Sequence, residues 1–249
     1  MAEHDGVTAT DGDLDLSEEL DGAIDDMSEA VLAYSYDGDR SSGGKPHTSG
    51  EPTRRGLVLP ELDPRDAEIS EKVLQEDTAW RGRIFDINRL TVELPDGRTA
   101  TRDVLRHPGA VGIVALTGDG RICLVRQYRT SLGRVTVEIP AGKLDVGEDP
   151  LECARRELLE ETGMKAEHMA FLSTIATGVG FCDELIHLYM ATNLSFAASD
   201  PDADEFINVD LVPLNELIDA VLDGRIEDAK TVVGALICDS VAHRLTPAE

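Results

Sequence analysis

The stretch GKLDVGEDPLECARRELLEETGM, residues 142 to 164, constrains the fold more than any other part of the chain. It follows an apolar strand pattern, VTVEIPAG at 135 to 142. Asp149, Pro150 and Glu152 together mark a helix start: Asp149 can cap, Pro150 fits the first helical position, and Glu152 stands three residues after the cap. Gly163 is placed to end that helix. Between them Leu151, Ala154 and Leu158 recur at spacings of three and four, so one face is apolar and buried. Glu157, Glu160 and Glu161 stand at i, i+3 and i+4, which brings their carboxylates together on another face.

Like charges at that spacing oppose one another by roughly 0.2–0.5 kcal/mol per pair on an isolated helix. Something positive belongs beside them. A divalent cation is one answer, because Mg²⁺ favours carboxylates and needs only one or two from the protein when substrate phosphates supply the rest. A solvated acidic face paired with Arg155 or Arg156 is the other.

Charge patterning divides the remainder. Residues 1 to 69 hold 18 Asp and Glu against 5 Lys and Arg, half of the chain's net charge of −26. That composition predicts a disordered acidic extension, with a Ser, Gly and Pro-rich linker at 41 to 52 and a transient helix at 14 to 34. The extension reads as a solubilising tail or as a partner-binding segment. Negative charge on this scale repels nucleic acid and anionic lipid. The four cysteines, Cys123, Cys153, Cys182 and Cys238, form neither a CxxC pair nor a zinc-spaced cluster, so they read as reduced, buried thiols. No signal-peptide pattern opens the chain, and no run approaches the roughly 18 apolar residues of a membrane helix, so a soluble cytoplasmic protein is expected.

From about residue 79 short alternating apolar runs predict strands. They are WRGRIFDI, RLTVEL and RTATRDVLRH around a PDG turn, then AVGIVALT and RICLVRQY around GDG, then VTVEIPAG, FLSTIAT, LIHLYMATNL and EFINVDLVP. LNELIDAVLDG and DAKTVVGALICDSVAHRL predict helices. Strands outnumber helices without strict alternation, which predicts an α+β fold with a mixed sheet.

Gly142, five residues, Glu148, seven residues, then Arg156-Glu157-Leu158-Leu159-Glu160-Glu161-Thr162-Gly163-Met164 resembles the signature of the Nudix hydrolases. The resemblance implies an α-β-α sandwich that hydrolyses a nucleoside diphosphate linked to another moiety. It makes Glu157 and Glu161 metal ligands, Glu160 their support, and Arg156 the group that orients the glutamates. Gly142, Glu148 and Gly163 are then structural parts of the motif. HPGAVGIVAL, VRQYRTSLGRVTVEIPAGKLD and GFCDELIHLYMATNL extend the resemblance to the ADP-ribose pyrophosphatase branch over residues 75 to 242. That branch implies Mg²⁺ or Mn²⁺, two or more ions per site, and ADP-ribose split into AMP and ribose 5-phosphate.

The same resemblance implies a homodimer in which strands of residues 70 to 107 exchange between subunits, ahead of a Nudix domain at 108 to 249. Arg102 would reach the substrate from the partner subunit, Arg129 would hold the diphosphate, Glu138 would bind in the metal and substrate pocket, and Glu184 would help bind substrate or metal. The carbonyl of Ala141 would be a metal ligand. The chemistry agrees for Arg129, since a diphosphate suits a planar bidentate donor. For Glu138, an unpaired carboxylate within VTVEIP would be unfavourable. Plainer readings remain: exposed strand cations for Arg102 and Arg129, a structural ion pair for Glu138, a surface charge for Glu184.

By the same likeness the base lies in the acidic loop PDADEFINV, residues 201 to 209, with Glu205 chosen over Asp204 and Asp202. Trp80 and Phe85 are candidates to stack on adenine, or ordinary packing. His107, His187 and the DAKTVVGALI helix read as structural. Val179 stands where the branch commonly carries a proline. A broader pyrophosphatase acting on GDP-mannose or UDP-sugars is therefore the alternative, followed by a non-catalytic ligand-sensing module.

Overall fold

The computed structural model describes residues 63–197 and 206–245. The expected tail helix and linker, together with Asp202, Asp204 and Glu205, lie outside these residues. Pro64–Glu68, within the segment assigned to the acidic extension, is a 3-10 turn capped by Asp63, whose side chain accepts from the Arg65 N–H.

Three strands follow: β1 (Lys72–Arg81), β2 (Asp86–Glu93) and β3 (Thr99–Arg106). They form an antiparallel sheet of their own in the order β1-β2-β3. β1 begins earlier than the apolar pattern predicts and ends inside WRGRIFDI, where Gly82 N–H donates to the Phe85 carbonyl at 3.1 Å and closes a turn. Every residue of β1 is exposed, so KVLQEDTAWR carries no period-2 signal to announce it.

The sandwich begins with β4 (Ala110–Ala115), β5 (Arg121–Arg129), β6 (Arg134–Glu138) and β7 (Ala141–Lys143). Helix α1 (Pro150–Thr162) leads into β8 (Met164–Ala176) and β9 (Leu185–Phe196). β10 (Ile207–Pro213), α2 (Leu214–Leu222) and α3 (Ala229–Leu245) complete the described chain. One sheet runs β7-β4-β9-β8, with β4 and β9 parallel at its centre; a second runs β10-β5-β6.

β4 is buried along its whole length, as expected of a strand covered on both faces. Val111, Ile113 and Ala115 pack on the α1 side with Cys153, Ala154 and Leu158. Ala110 and Val114 pack on the other side with Ala235 and Cys238 of α3. The expected α-β-α sandwich with a mixed sheet is therefore the observed architecture. Leu158 is fully buried, worth about 2 kcal/mol by area alone.

VTVEIPAG, predicted as one strand, is two. The Ile139 N–H goes to Thr231 Oγ1 at 2.8 Å and Pro140 has none to give, so the ladder with β5 stops at Glu138. The chain then crosses to the other sheet as β7, beside α1. FLSTIAT is likewise only the second half of β8, whose first half starts directly after the helix cap.

Candidate active site

The crossover at Ile139–Pro140 sets Gly142 against α1. A Cβ on Gly142 would lie 1.9 Å from the Glu157 carboxyl carbon and 2.0 and 2.2 Å from its oxygens. Glycine is required there because the carboxylate occupies the space a side chain would take. The helix itself forms as the spacing predicts: Asp149 Oδ1 accepts from the N–H of Leu151 at 2.9 Å and of Glu152 at 3.3 Å. Gly163 ends it in the left-handed region at φ 70°, where its lack of Cβ removes the penalty.

Arg156 gathers three carboxylates. Its Nε and Nη2 donate to Glu148 at 2.9 and 3.0 Å, and its Nη1 to Glu157 at 2.7 Å and Glu160 at 2.9 Å. Arg156 thus bridges the loop before α1 to two of the motif glutamates, whereas Arg155 only approaches Glu152 at 4.0 Å. The hydrogen bond from Arg156, with the Asp145 N–H, holds the Glu148 carboxyl at about 2, well under its ordinary 4.5. Those carboxylates raise the Arg156 guanidinium in turn, the bond to Glu148 foremost.

Glu161 turns inward, 5% exposed, and its Oε2 accepts from the Ala141 N–H at 3.0 Å. The Ala141–Gly142 backbone is therefore held at both residues, by Glu161 and by the contact with Glu157. Among the described residues no three His, Cys, Asp or Glu side chains converge as a closed metal cage. The donor set is nonetheless all oxygen: carboxylates on one helix and the backbone of the short strand β7. That suits a hard divalent cation, which substrate oxygens and water complete.

Beside this cluster lies a second one. Glu138, 3% exposed, takes both Nε and Nη2 of Arg129 at 2.7 Å and the Thr136 hydroxyl at 2.6 Å. Lys230, from α3, also donates to it. Burial pushes the Glu138 carboxyl up, but Arg129, Lys230 and Thr136 outweigh it and hold the group at about 2. The DAKTVVGALI helix thus does more than pack, since its first turn supplies Lys230 to a predicted substrate residue. Hydrophobic patterning gave no sign of that contact, which joins residues 92 apart.

The other predicted residues fall elsewhere. Arg102 lies on β3, where it pairs with Glu71 and donates to the Thr101 carbonyl; none of its bonds reaches α1. Glu184 accepts from Thr177 Oγ1 at 2.7 Å and stands 3.3 Å from His107 Nδ1. His107 Nδ1 also accepts the Gly109 N–H at 3.1 Å, and His187 pairs with Thr174 at 2.9 Å. Asp183, next to Glu184, ties the loop to the β1–β3 sheet by accepting from Arg106 Nη1 at 3.0 Å and the His107 N–H at 2.8 Å. Trp80 and Phe85 pack on each other with ring centroids 5.5 Å apart. All four cysteines are free; Cys182, expected to be buried, is only half-buried on its loop, while burial pushes the Cys123, Cys153 and Cys238 thiols up to about 12, which leaves them unreactive at neutral pH.

The NUDIX domain model matches residues 106–233, more than half of the chain. The chain is a Nudix hydrolase. It is similar to the methanol dehydrogenase activator of Bacillus methanolicus, 45% identical over 167 residues that cover 66% of this chain and 90% of that one. It is also similar to the ADP-ribose pyrophosphatase of Bacillus subtilis (strain 168), 39% identical over 165 residues, 66% of this chain and 89% of that one. Among solved structures, a crystal structure of an ADP compounds hydrolase covers 72% of this chain and 97% of its own at a TM-score of 0.64. At 22% identity that likeness speaks for the fold alone. This Nudix hydrolase therefore belongs with enzymes that cleave nucleoside diphosphate linkages, a family that works with divalent metal. No helix among its described residues is long and apolar enough to cross a membrane.

Proposed function

We propose that this Nudix hydrolase splits the diphosphate of ADP-ribose into AMP and ribose 5-phosphate, with Mg²⁺ as its physiological metal. The observation that carries the reading is the pair of clusters: Arg156 with its glutamates over Gly142, and Arg129 on Glu138 beside them. The ADP-ribose pyrophosphatase relative supports the choice of substrate.

Glu157, Glu161 and the Ala141 carbonyl would hold two or more ions, Mn²⁺ substituting for Mg²⁺. When bound, the cations neutralise charge building on the phosphates and acidify the attacking water. Arg156 keeps Glu157 and Glu160 oriented. Arg129 spends Nε and Nη2 on Glu138, while no bond among the described residues takes Nη1, which can turn to a phosphate oxygen. Glu205 takes the proton of the water as general base, ahead of Asp204 and Asp202. Glu184 borders the pocket. Arg102 enters from the other subunit of a homodimer that exchanges the strands of residues 70 to 107, a reading that fits the exposed Val73, Leu74, Trp80 and Ile84.

A broader action on GDP-mannose and UDP-sugars is the second reading. Its support is Val179, 88% exposed in the loop where a proline is expected. Purified protein with Mg²⁺ is tested on ADP-ribose, ADP-glucose, GDP-mannose, UDP-glucose, diadenosine polyphosphates and NADH, with phosphate release coupled to a phosphatase. A preference for ADP-ribose that a chelator abolishes is the expected result. Equal rates across the sugars favour the second reading, and no turnover of any compound overturns both.

A further inference from the structure

We infer that Lys230 is a positioning residue for the substrate diphosphate, acting through Glu138 on Arg129. The inference deepens the proposed function and rests on Arg129 as the diphosphate donor.

Lys230 is 7% exposed, and its ammonium lies between two carboxylates, Glu138 on one side and Asp228 Oδ1 at 3.0 Å on the other. Ion pairing of this kind offsets the cost of burying a lysine side chain. Asp228 is itself fixed: its Oδ2 accepts from the Thr231 N–H at 3.0 Å and from the Thr231 hydroxyl at 2.5 Å, as a cap on the first turn of α3. Thr231 Oγ1 in turn accepts the Ile139 N–H, so α3 grips the backbone one residue past Glu138 as well as the Glu138 side chain. The lysine stem runs past Gly112 of β4, where an added Cβ would make ordinary contact with Lys230 Cδ at 3.7 Å and crowd Leu188 at 3.0 Å and Ile139 at 3.2 Å.

Both Glu138 oxygens are engaged, Oε1 by Arg129 Nε and Thr136, Oε2 by Arg129 Nη2 and Lys230. With its acceptors filled from three sides, Glu138 works as a fixed plate against which the guanidinium lies flat. Lys230 holds that plate. Without it Glu138 keeps only Arg129 as a cationic partner, is free to rotate toward it, and draws the guanidinium off the site. A lysine that merely balanced buried charge would affect stability and leave the affinity of the folded protein alone.

The experiment is a double-mutant cycle read by calorimetric binding of ADP to the full chain, in wild type, Lys230→Met, Arg129→Ala and the double variant. Thermal melts and the kcat and KM for ADP-ribose accompany it. Each single change is expected to weaken ADP by about tenfold, with KM rising more than kcat falls. In the double variant the loss stays within about twofold of Arg129→Ala alone, because the lysine acts only through the arginine. The inference is overturned if Lys230→Met binds ADP as the wild type does, if the two losses multiply, or if the wild type does not bind ADP. Should Lys230→Met fail to fold, Glu138→Gln enters the same cycle against Arg129→Ala and is read by the same criteria. A wild type that turns over none of the nucleotide sugars, with the binding cycle intact, defeats the proposed function and leaves the positioning role standing.

Discussion

Gly142→Ala separates the demands of the fold from those of the chemistry. The added methyl would stand 1.9 Å from the Glu157 carboxyl carbon, where ordinary contact begins near 3.4 Å. The carboxylate must retreat by about 1 Å or more, and a misplacement of that size in a catalytic group costs about 100-fold in rate, or about 2.7 kcal/mol. Retreat also strains the 2.7 Å bond to Arg156. The fold has an easier time, because the obstacle is the free end of a long side chain. Gly142 is not among the positive-φ glycines, so alanine suits its backbone and gains about 0.4–1 kcal/mol from a less flexible unfolded chain. Initial rates of ADP-ribose hydrolysis with Mg²⁺, paired with a calorimetric melt, should show turnover down about 100-fold at a nearly unchanged melting temperature. A rate within threefold of wild type would refute the claim that Glu157 must sit against this glycine. A collapsed melting temperature would show instead that the backbone gives way.

Glu161→Gln should lose most turnover yet keep its fold, because the amide oxygen can still accept the Ala141 N–H that Glu161 now holds at 3.0 Å; rates near wild type would end its assignment as a metal ligand. Glu205→Gln should lower kcat with little change in KM, and a larger effect from Asp204→Asn would move the base to that residue. Glu148, held at about 2 against an ordinary 4.5, stabilises the folded chain above its unfolded value and gives that stability up as pH falls from 4.5 toward 2. Urea midpoints across this window should therefore fall more steeply for wild type than for Glu148→Gln, and parallel curves would refute the linkage.

What the sequence discloses and what it hides divide along the distance between partners. The α1 cap, its buried face and its C-terminal glycine all follow from residues within a few positions of one another, and each is observed. Arg156 with Glu148, Glu157 and Glu160 is a similarly local set, each carboxylate within eight residues of the arginine. The start of β1 is not marked by any apolar pattern, because its exposure leaves no alternation to read. The break in VTVEIPAG has a local sign in Pro140, which lacks an N–H for the ladder, and a distant cause in Thr231, 92 residues on, which takes the Ile139 N–H. Lys230 on Glu138 is hidden for the same reason of distance, since within DAKTVVGALI the lysine already has a local carboxylate partner in Asp228.

The electrostatics of the site explain why both clusters are needed. Arg156 brings one positive charge to three carboxylates, Glu148, Glu157 and Glu160, so these four side chains together remain negative. That residue of charge suits a divalent cation and would by itself repel a diphosphate. Arg129 resolves the conflict only if its own charge is not spent on its holder. Arg129 with Glu138 alone is neutral, and a neutral pair offers a phosphate little. Lys230 is a second cation on the same carboxylate, so Glu138 is shared between two partners and Arg129, the more exposed of them, keeps part of its charge for a phosphate. Asp228, more exposed than the lysine it pairs with, caps the first turn of α3 and brings Arg129, Glu138, Lys230 and itself to neutrality. The carboxylates for metal thus come from α1 and the loop before it, and the guanidinium for phosphate from the end of β5, held through Glu138 by Lys230 of α3.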